Sequence, residues 1–511
     1  MLRTNRVAIN DKFCQLQTQL RDRWQSMEQF DNSDYDLLVI PSLSFDPREL
    51  RKIPGANHYE ERLLFSLVRL RNPHTRLVYV TSQPLPSIII EYYLQLLPGI
   101  PFSQARERLI LLSAYDASVD KPLTQKILER PRLIERIKKS LRLDRAIMTC
   151  FNSTPWEQAL SVELGIPLWG LDPNLLYWGT KSGSREIFAE AKIPFPDGSE
   201  LVWTKEDLAR MVLELWQRQP DLRRIVIKLN EGFSGEGNAL LDLQNLKTAM
   251  AEQDEPEKLA AIEKSFKFLR FQTKAETWES YSSQIPKLGA IAEEFIEGKR
   301  KFSPSFQGRI APTGEVEVLS THDQILGGPD GQVYLGCSFP ASADYRLRLQ
   351  VMGLEIGRCL AAKGALERYG VDFLAVQQDS GRWDLQAIEI NLRKGGTTHP
   401  FMALRYLTNG RFDDRSGLFF SQQGREKYYV ASDNLVKDRY HGLLPHDLME
   451  IIAHHRLHFD SSRETGTLFH LIGCLSEYGK LGLTSIGNSL QQARDTYNHI
   501  MRVLDVETKP D

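Results

Sequence analysis

Two carboxylates and a carboxamide mark the part of the sequence whose chemistry is best specified. Asp372 lies in an apolar run, Val371–Gln377, that predicts a buried strand. Glu389 and Asn391 lie at the end of a second such run, Trp383–Ile390, and the turn-forming sequence Asp-Ser-Gly-Arg separates the two runs. Because residues two apart on a strand share a face, an antiparallel hairpin would gather the three oxygen-bearing side chains at one end.

Such a cluster of acids needs a balancing positive charge. Two carboxylates about 4 Å apart repel by roughly 4 kcal/mol at an effective dielectric of ~20. Mg²⁺ prefers hard oxygen ligands and takes its remaining ligands from water and phosphate, so Asp372, Glu389 and Asn391 predict a magnesium site. The alternative is a structural ion-pair network in which Arg393 and Lys394 neutralise the acids.

A second candidate site combines a lysine with glycines. Lys228 lies inside the otherwise apolar strand predicted for Arg223–Asn230, and a buried lysine is costly without an anionic partner. The sequence EGFSGEGNA follows, with Gly232, Gly235 and Gly237, and glycines let backbone N–H groups approach phosphate oxygens closely. A glycine cluster alone indicates a hairpin turn. The lysine just upstream favours a phosphate-binding loop.

Composition limits the class of protein. The chain has 511 residues, 41% of them hydrophobic and 25% charged, with a formal net charge of -2. This length predicts two to four domains, and the charge gives no reason to expect nucleic acid or an anionic membrane as partner. No apolar run reaches the length of a membrane-spanning helix, and Met1–Phe30 lacks a signal-peptide core. Five scattered cysteines disfavour a disulfide framework, so we expect a cytoplasmic enzyme.

The order of predicted elements indicates an α/β protein. Residues 1–33 predict a helix, and strands alternate with helices over 34–170, which is typical of a doubly wound parallel sheet. That sheet has no glycine fingerprint for a dinucleotide. Residues 425–508 predict a small α-rich C-terminal domain. The histidines of that tail are not expected to bind a metal; they are His454, His455, His458 and His470.

In chain order, the candidate residues resemble the ATP-grasp superfamily. The matching features are Lys181, Lys228, the Gly232–Gly237 loop, the sequence EEFI at Glu293–Ile296, Asp372, and Glu389-x-Asn391-x-Arg393. The forms EINLRKGGTTHP and GTLFHLIGCLSEYGKLGLTSIGNS look like those of pheganomycin-type peptide ligases and related carboxylate–amine ligases. The resemblance implies a two-lobed ATP-grasp domain over 171–408, between the parallel-sheet domain and the tail.

The resemblance also implies the cofactors, ATP with one or two Mg²⁺ ions, Mn²⁺ being an alternative ion. The implied ATP-binding residues are Lys181, Lys228, Gly232, Ser234, Gly235, Gly237, Glu293, Glu294, Phe295, Ile296 and Glu297. Lys181 and Lys228 would reach the phosphates, and the glycine loop would close over them. Glu293 would accept from the adenine amino group. Glu297 is the candidate for the ribose, because Lys299, Arg300 and Lys301 stand where the family usually has an acid.

Catalytic and substrate roles follow from the same resemblance. Asp372, Glu389 and Asn391 would hold the metal, and Arg393 would stabilise the transferring phosphoryl group together with Lys228. The loop Gly395–His399 offers N–H groups and side chains for a carboxylate or a phosphate. The candidate substrate residues are Arg309, Thr397, Thr398 and His399.

The implied activity is that of an ATP-dependent ligase. ATP would phosphorylate a substrate carboxylate, and an amine would attack the acylphosphate to form an amide or peptide bond, releasing ADP and phosphate. The alternatives are a kinase on the same scaffold and a non-catalytic nucleotide-binding protein. The expected partners are small-molecule or peptide carboxylates and amines, with no nucleic acid and no membrane. A homodimer is the default expectation for the assembly.

Overall fold

The computed structural model describes most of the chain. The described residues are 2–28, 34–231, 237–247, 254–272, 276–327, 331 and 333–509.

Parallel strands form the first sheet. Its order among the described strands is β3-β2-β1-β4-β5, every pair being parallel, so the predicted doubly wound sheet is confirmed. The elements are α1 (Leu2–Glu28), β1 (Asp36–Ile40), α2 (Pro47–Lys52), a 3₁₀ helix (Ala56–Arg71), β2 (Arg76–Thr81), α3 (Ser87–Gln95), α4 (Phe102–Glu107), β3 (Leu109–Ser113), α5 (Leu123–Leu128), α6 (Pro131–Ser140), β4 (Ala146–Cys150), α7 (Pro155–Leu164) and β5 (Leu168–Trp169). Strands β1 and β4 are wholly buried, as expected for continuous apolar runs covered on both faces.

One predicted helix of this domain is two helices. The basic segment Leu123–Leu141 suggests a single helix, but α5 ends at Leu128 and α6 begins at Pro131. Proline lacks the N–H that a helix interior needs, whereas it fits the first helical position. The proline therefore separates the two helices.

A small antiparallel sheet follows, with the strand order β8-β7-β6-β9. Its elements and those leading to it are a 3₁₀ helix (Pro173–Gly179), α8 (Lys181–Glu190), α9 (Lys205–Arg218), β6 (Arg224–Leu229), β7 (Asn238–Asp242), 3₁₀ turns (Gln244–Leu246 and Phe266–Phe268), α10 (Glu255–Ser265), β8 (Arg270–Phe271), α11 (Trp278–Ser282), α12 (Ile285–Leu288) and β9 (Ala290–Glu294). Strand β6 lies in the middle and pairs with β7 and β9, which places Lys228 near the centre of this sheet.

The rest of the chain builds a large sheet. Its elements are β10 (Lys301–Phe302), β11 (Pro304–Ile310), β12 (Val316–Gly327), β13 (Val333–Phe339), α13 (Arg346–Ala362), β14 (Glu367–Gln377), β15 (Trp383–Asn391), α14 (Thr398–Thr408), β16 (Arg411–Asp413), β17 (Leu418–Phe420), β18 (Glu426–Val436), α15 (Pro445–His454), β19 (Gly466–His470), α16 (Leu475–Tyr478), β20 (Lys480–Gly487), α17 (Leu490–Glu507) and 3₁₀ turns (Asp438–Tyr440 and Ile472–Cys474). The main strand order is β10-β14-β11-β12-β13-β18-β17-β16, with β15 on β14 and β20 joining β18 to β19.

The tail differs from the predicted α-rich domain. It contains the helices α15, α16 and α17, but β18 and β20 extend the large sheet and β19 adds to β20. Every residue of β20, KLGLTSIG, is buried. Glycine, serine and threonine interrupt its apolar residues, so this part of the sequence resembles a loop. A strand that is buried on both faces does not show the alternation of polar and apolar residues that marks a half-exposed strand.

The tail also shares a hydrophobic core with the first domain. Leu37 and Tyr79 of the parallel sheet belong to the same buried cluster as Leu483 of β20 and Leu504 of α17. The tail therefore packs against the first domain and also extends the large sheet.

Candidate active site

The predicted acidic hairpin is present. Strands β14 and β15 pair antiparallel, and Asp372 is opposite Glu389 while Gly370 is opposite Asn391. The register shifts between Asp372 and Phe373, so a bulge lies beside the first acid. The three oxygen-bearing side chains consequently gather at the open end of the hairpin.

Hydrogen bonds fix the orientation of this group. Asn391 Nδ2 donates to Asp372 Oδ2 at 3.0 Å, and Gln324 Nε2 of β12 donates to Asp372 Oδ1 at 2.6 Å. Arg393 Nη2 donates to Asn391 Oδ1 at 2.8 Å. The carboxamide thus links the acid to the arginine, and Gln324 is a participant that sequence reasoning missed.

Burial changes the protonation of the acidic end. Burial and the charge of Glu389 raise the pKa of Asp372 to about 7, against the opposing effects of Arg393 and the two amide donors. Burial likewise lowers the pKa of Arg393, while both acids oppose that change. Burial thus disfavours the charged form of Asp372, and a cation bound beside it would favour that form.

Lys181 reaches this cluster from the other part of the chain. Its Nζ lies 2.8 Å from Glu389 Oε1, and the lysine is buried. Thr180 caps α8 by accepting from Gly183 N, and Lys181 N donates to Asn230 O at 3.1 Å, which ties the start of α8 to the end of β6. The helix start therefore holds the lysine in position.

The alternative prediction, an ion-pair network around the acids, names one lysine that does not take part in it. Lys394 points away from the hairpin acids: its Nζ donates to Cys150 O at 2.8 Å and lies 3.3 Å from Glu367 Oε1. Lys181, rather than Lys394, pairs with Glu389. Lys394 therefore joins the large sheet to the first domain.

A second buried network surrounds Lys228. Its Nζ donates to Glu293 Oε2, and Arg185 Nη1 of α8 lies 3.2 Å from Glu293 Oε1. Glu293 is only 3% exposed, so its carboxylate compensates two buried cations. The carboxylate thus positions Lys228, and its predicted contact with an adenine amino group stays a prediction.

One cleft of about 730 Å³ joins the two networks. Lys228 and Glu293 of the small sheet line it together with the hairpin residues Asp372 and Asn391, so the two groups face the same space. The predicted residues on its walls are Lys228, Glu293, Glu294, Phe295, Ile296, Asp372, Glu389, Asn391, Arg393 and Thr397. A substrate in this cleft would meet the lysine of the small sheet and the acids and arginine of the hairpin end at once.

The segment after β9 is arranged around Phe295. Arg224 lies 3.9 Å and Lys301 Nζ 4.3 Å from the centre of its ring, and Lys301 donates to Ile296 O at 3.0 Å. Glu297, the candidate for the ribose, instead pairs with Arg224 at 2.6 Å. This pair lowers the pKa of Glu297. The ribose contact remains a prediction.

Three of the predicted substrate residues have partners within the protein, and their contacts with a substrate stay predictions. Arg309 pairs with Glu317 at 2.7 Å and lies over the ring of Trp24, away from the cleft walls. Thr398 Oγ1 accepts from the backbone N–H that begins its own loop. The buried His399 Nε2 lies 2.8 Å from His470 Nε2, and burial holds its pKa well below the usual value. All three side chains have structural partners that local sequence did not reveal.

The glycine loop is only partly described. Gly232, Ser234 and Gly235 lie outside the described residues. Gly237 is described: its carbonyl accepts from Leu229 N and from Tyr281 Oη, each at 2.9 Å. The end of the loop is therefore fixed to β6 and α11.

Two further features concern metals and membranes. In the described parts of the chain, no three His, Cys, Asp or Glu side chains gather as a metal site. The acidic hairpin end offers two carboxylates and an amide instead. Every helix in these described parts is too short or too polar to span a membrane.

Sequence reasoning missed the opposite end of the cleft. Arg62 and Tyr59 of the first domain line it, together with Asp433 of β18 and Lys480 of β20. Each stands alone in its local sequence, and residues such as Arg62 and Asp433 are 371 positions apart. No local motif marks them, so only the fold brings them together.

Two family models match parts of the chain. The model described as "IQCH-like, ATP-grasp" matches residues 174–269, which carry α8 and the small sheet's β6. The model described as "PGM1 C-terminal domain" matches residues 447–499 of the tail.

Two curated proteins are similar in sequence. An L-propargylglycine–L-glutamate ligase of Streptantibioticus cattleyicolor is 28% identical over 477 residues, covering 91% of this chain and 93% of that protein. An IQ motif-containing protein H of Danio rerio is 21% identical over 549 residues, covering 99% of this chain. The chain spans about half (51%) of that second protein.

Solved structures share the fold. An N5-carboxyaminoimidazole synthetase from Staphylococcus aureus, complexed with ADP, superposes with a TM-score of 0.50 at 11% identity, covering 92% of this chain and 97% of that one. The biotin carboxylase domain of the Hydrogenobacter thermophilus 2-oxoglutarate carboxylase gives 0.51 at 12% identity, covering 90% and 88%. The chain is thus similar to ATP-grasp proteins in the family model over residues 174–269 and in its overall fold, and similar to an amino-acid ligase over most of its length.

Proposed function

We propose that this protein is an ATP-dependent ligase that joins a carboxylate to an amine through an acylphosphate, releasing ADP and phosphate. The observation that carries the proposal is the shared cleft: Lys228 faces it from the small sheet, and Asp372, Asn391 and Arg393 face it from the large sheet. Cations on one wall suit phosphates, and acids on the other suit the metal that accompanies them.

The donor set of the hairpin fits magnesium. Asp372 and Glu389 supply carboxylates and Asn391 supplies an amide, which are the hard oxygen ligands that Mg²⁺ prefers. These three residues would hold one or two Mg²⁺ ions, with Mn²⁺ as a substitute. When bound, the metal neutralises charge on the phosphate oxygens.

The protein's own groups would perform the remaining tasks. Lys228 and Lys181 would bind phosphate oxygens, each leaving its present partner, Glu293 or Glu389. Arg393, held by Asn391, would stabilise negative charge on the transferring phosphoryl group. The backbone of Phe295 would meet the adenine edge. Such positioning requires no activated side-chain nucleophile.

Amino acids are the proposed substrates. The Streptantibioticus relative, which aligns over nearly its whole length, bears the name of a ligase for two amino acids. An amide bond between the carboxylate of one amino acid and the amine of another is the corresponding reaction here. A kinase on the same scaffold is not favoured by any of the comparisons. We place the enzyme in the cytoplasm, where ATP and magnesium are supplied.

Hydroxylamine trapping tests the reaction. The purified protein is incubated with Mg²⁺–ATP, hydroxylamine and each of the twenty L-amino acids in turn, and hydroxamate and ADP are both measured. A ligase that forms acylphosphates yields hydroxamate with at least one amino acid, in equal amount with ADP. ADP release with a stable phosphorylated product and no hydroxamate would instead establish a kinase and overturn the proposal.

A further inference from the structure

Two buried cations line the end of the cleft formed by the first domain and the tail. Arg62 comes from the 3₁₀ helix Ala56–Arg71, and Lys480 is the first residue of β20. Their exposed fractions are only 7% and 3%, although both line the cleft. Burying two cations is costly unless anions compensate them.

The protein supplies one carboxylate for these two cations. Arg62 Nη1 lies 3.1 Å from Asp433 Oδ2, whereas Lys480 Nζ donates to the neutral Tyr59 Oη at 2.7 Å. The neighbouring acid Glu61 faces another way, accepting from Gly473 N at 2.9 Å. One positive charge at this end of the cleft therefore lacks a matching carboxylate among these residues.

The orientation of Arg62 is fixed. Its guanidinium lies 4.3 Å from the ring centre of Tyr59 and 4.6 Å from that of Phe151. Its Nε is buried and has no hydrogen-bond partner in the described structure. An arginine whose orientation is fixed by aromatic rings, and which has an unused N–H donor, can bind a planar anion such as a carboxylate. Burial lowers the pKa of Lys480, Asp433 opposes this shift, and Arg62 adds a smaller lowering effect.

This end is separate from the hairpin end. The rings of Phe45 and Phe151 pack edge to face, with their centres 6.5 Å apart. The guanidinium of Arg393 lies over the Phe45 ring, and that of Arg62 lies over the Phe151 ring. An aromatic pair thus lies between the arginine proposed for phosphoryl transfer and the arginine of the first domain. A group bound by Arg62 would not be the group that reacts near Arg393.

We infer that Arg62 and Lys480 form a subsite for a carboxylate that does not react, and that this carboxylate anchors an amino-acid substrate. The inference rests on the proposed ligase function and deepens it. It also assigns the tail a role, because Lys480 and Asp433 both come from strands of the tail.

Binding measurements on a charge-removing variant test the subsite. The probes are the twenty L-amino acids and their C-terminal amides, titrated by calorimetry into the full-length protein saturated with Mg²⁺ and a non-hydrolysable ATP analogue. In the wild type, we expect at least one amino acid to bind about 10-fold or more tighter than its amide, as for a hydrogen bond to a charged group. In Lys480→Met, this preference should fall below about 2-fold.

Lys205→Met is the matched control. Lys205 is an exposed cation ion-paired with Glu206 on α9 and does not line the cleft, so its removal should leave the preference for the acid unchanged. Tyr59→Phe keeps both cations but removes the hydroxyl that holds Lys480 Nζ, and should reduce the preference partially. This variant provides the answer should Lys480→Met fail to fold.

The outcomes separate the two proposals. The subsite is refuted when no amino acid is preferred over its amide by the wild type, or when Lys480→Met and Tyr59→Phe keep the full preference. Binding of the ATP analogue is measured in a separate titration of the nucleotide-free protein in the presence of Mg²⁺. If the wild type does not bind the analogue, the ligase proposal itself is contradicted. If it binds the analogue but binds each amino acid no more tightly than its amide, only the subsite is contradicted.

Discussion

Lys181 Nζ lies 2.8 Å from Glu389 Oε1, although 208 residues separate them in the chain. The pair connects the start of α8 to the end of β15, and we assign the lysine to a phosphate and the acid to a metal. Binding of Mg²⁺–ATP would therefore exchange one ion pair for two new contacts. Without the metal, Glu389 would lose its lysine and gain no other cation. ATP alone should therefore bind much more weakly than Mg²⁺–ATP.

Removal of a proposed metal ligand should stop turnover without unfolding the protein. Glu389→Gln keeps the shape of the side chain but removes its charge, and ADP release should fall about 100-fold or more. Asn391→Ala should act similarly. ADP release is followed while Mg²⁺ is titrated. Glu317→Gln, which breaks the surface pair with Arg309, is the control and should keep normal turnover. Near-normal rates in Glu389→Gln would contradict the metal assignment.

The two partners of the buried network around Glu293 should differ in their effects. Glu293→Gln leaves Lys228 and Arg185 as buried cations without their acid, which costs about 3–5 kcal/mol of the free energy of unfolding. Lys228→Met leaves Glu293 paired with Arg185, so the protein should lose less stability but bind ATP more weakly. Urea denaturation and nucleotide titration measure the two effects. The reverse order of stabilities would show that Lys228, not Glu293, holds the network together.

Stability should depend on pH through Glu60, on the 3₁₀ helix that carries Arg62. Burial raises the pKa of Glu60 from 4.5 to about 7, with Ser82 and Lys126 opposing. Between these pH values the folded protein keeps a proton that the unfolded chain has released, so stability falls as pH rises. The loss is about 3 kcal/mol at ~1.4 kcal/mol per pKa unit. Above pH 7 this contribution stays constant.

The measurement for Glu60 is a difference. Urea denaturation of the wild type and of Glu60→Gln is compared at pH 5 and pH 7.5. Relative to the variant, the wild type should lose about 2.4 kcal/mol over this interval, because the unfolded chain has already released most of this proton at pH 5. Other titrating groups cancel in the comparison. A difference that does not change with pH would mean that Glu60 titrates as an ordinary carboxyl.

Gly183 should be intolerant of a side chain. A Cβ at this position would lie 2.1 Å from Tyr177 O, so the backbone at the start of α8 must shift. Gly183→Ala should cost about 1–3 kcal/mol and weaken ATP binding, because Lys181 begins the same helix. Gly395→Ala is the stability control, since a Cβ there meets nothing within 4 Å. Equal melting temperatures for the two variants would contradict this packing argument.

The sequence predicts features whose partners are near in the chain. The β14–β15 hairpin follows from two apolar runs around a turn, and its register places Asp372 opposite Glu389 as expected. The parallel sheet follows likewise from the alternation of strands and helices. In these cases the period of the side chains and the turn residues carry the information.

Features built from distant segments could not be predicted. Arg62 meets Asp433, and His399 meets His470, only through packing of the tail against the rest. The strand β20 was missed because its glycine, serine and threonine residues obscure the apolar pattern. Arg309 illustrates the converse: an arginine on a strand of the large sheet suggested a substrate contact, but Glu317 on the next strand neutralises it.

The position of β20 has a consequence for how the enzyme is made. Its first residue, Lys480, completes the amino-acid end of the cleft, and Arg62, which lines the same end, is translated more than four hundred residues earlier. The substrate pocket of a nascent chain is therefore incomplete until β20 has been translated. A protein shortened just before β20 would be expected to lack amino-acid recognition, and its exposed edge on β18 would invite pairing with other chains.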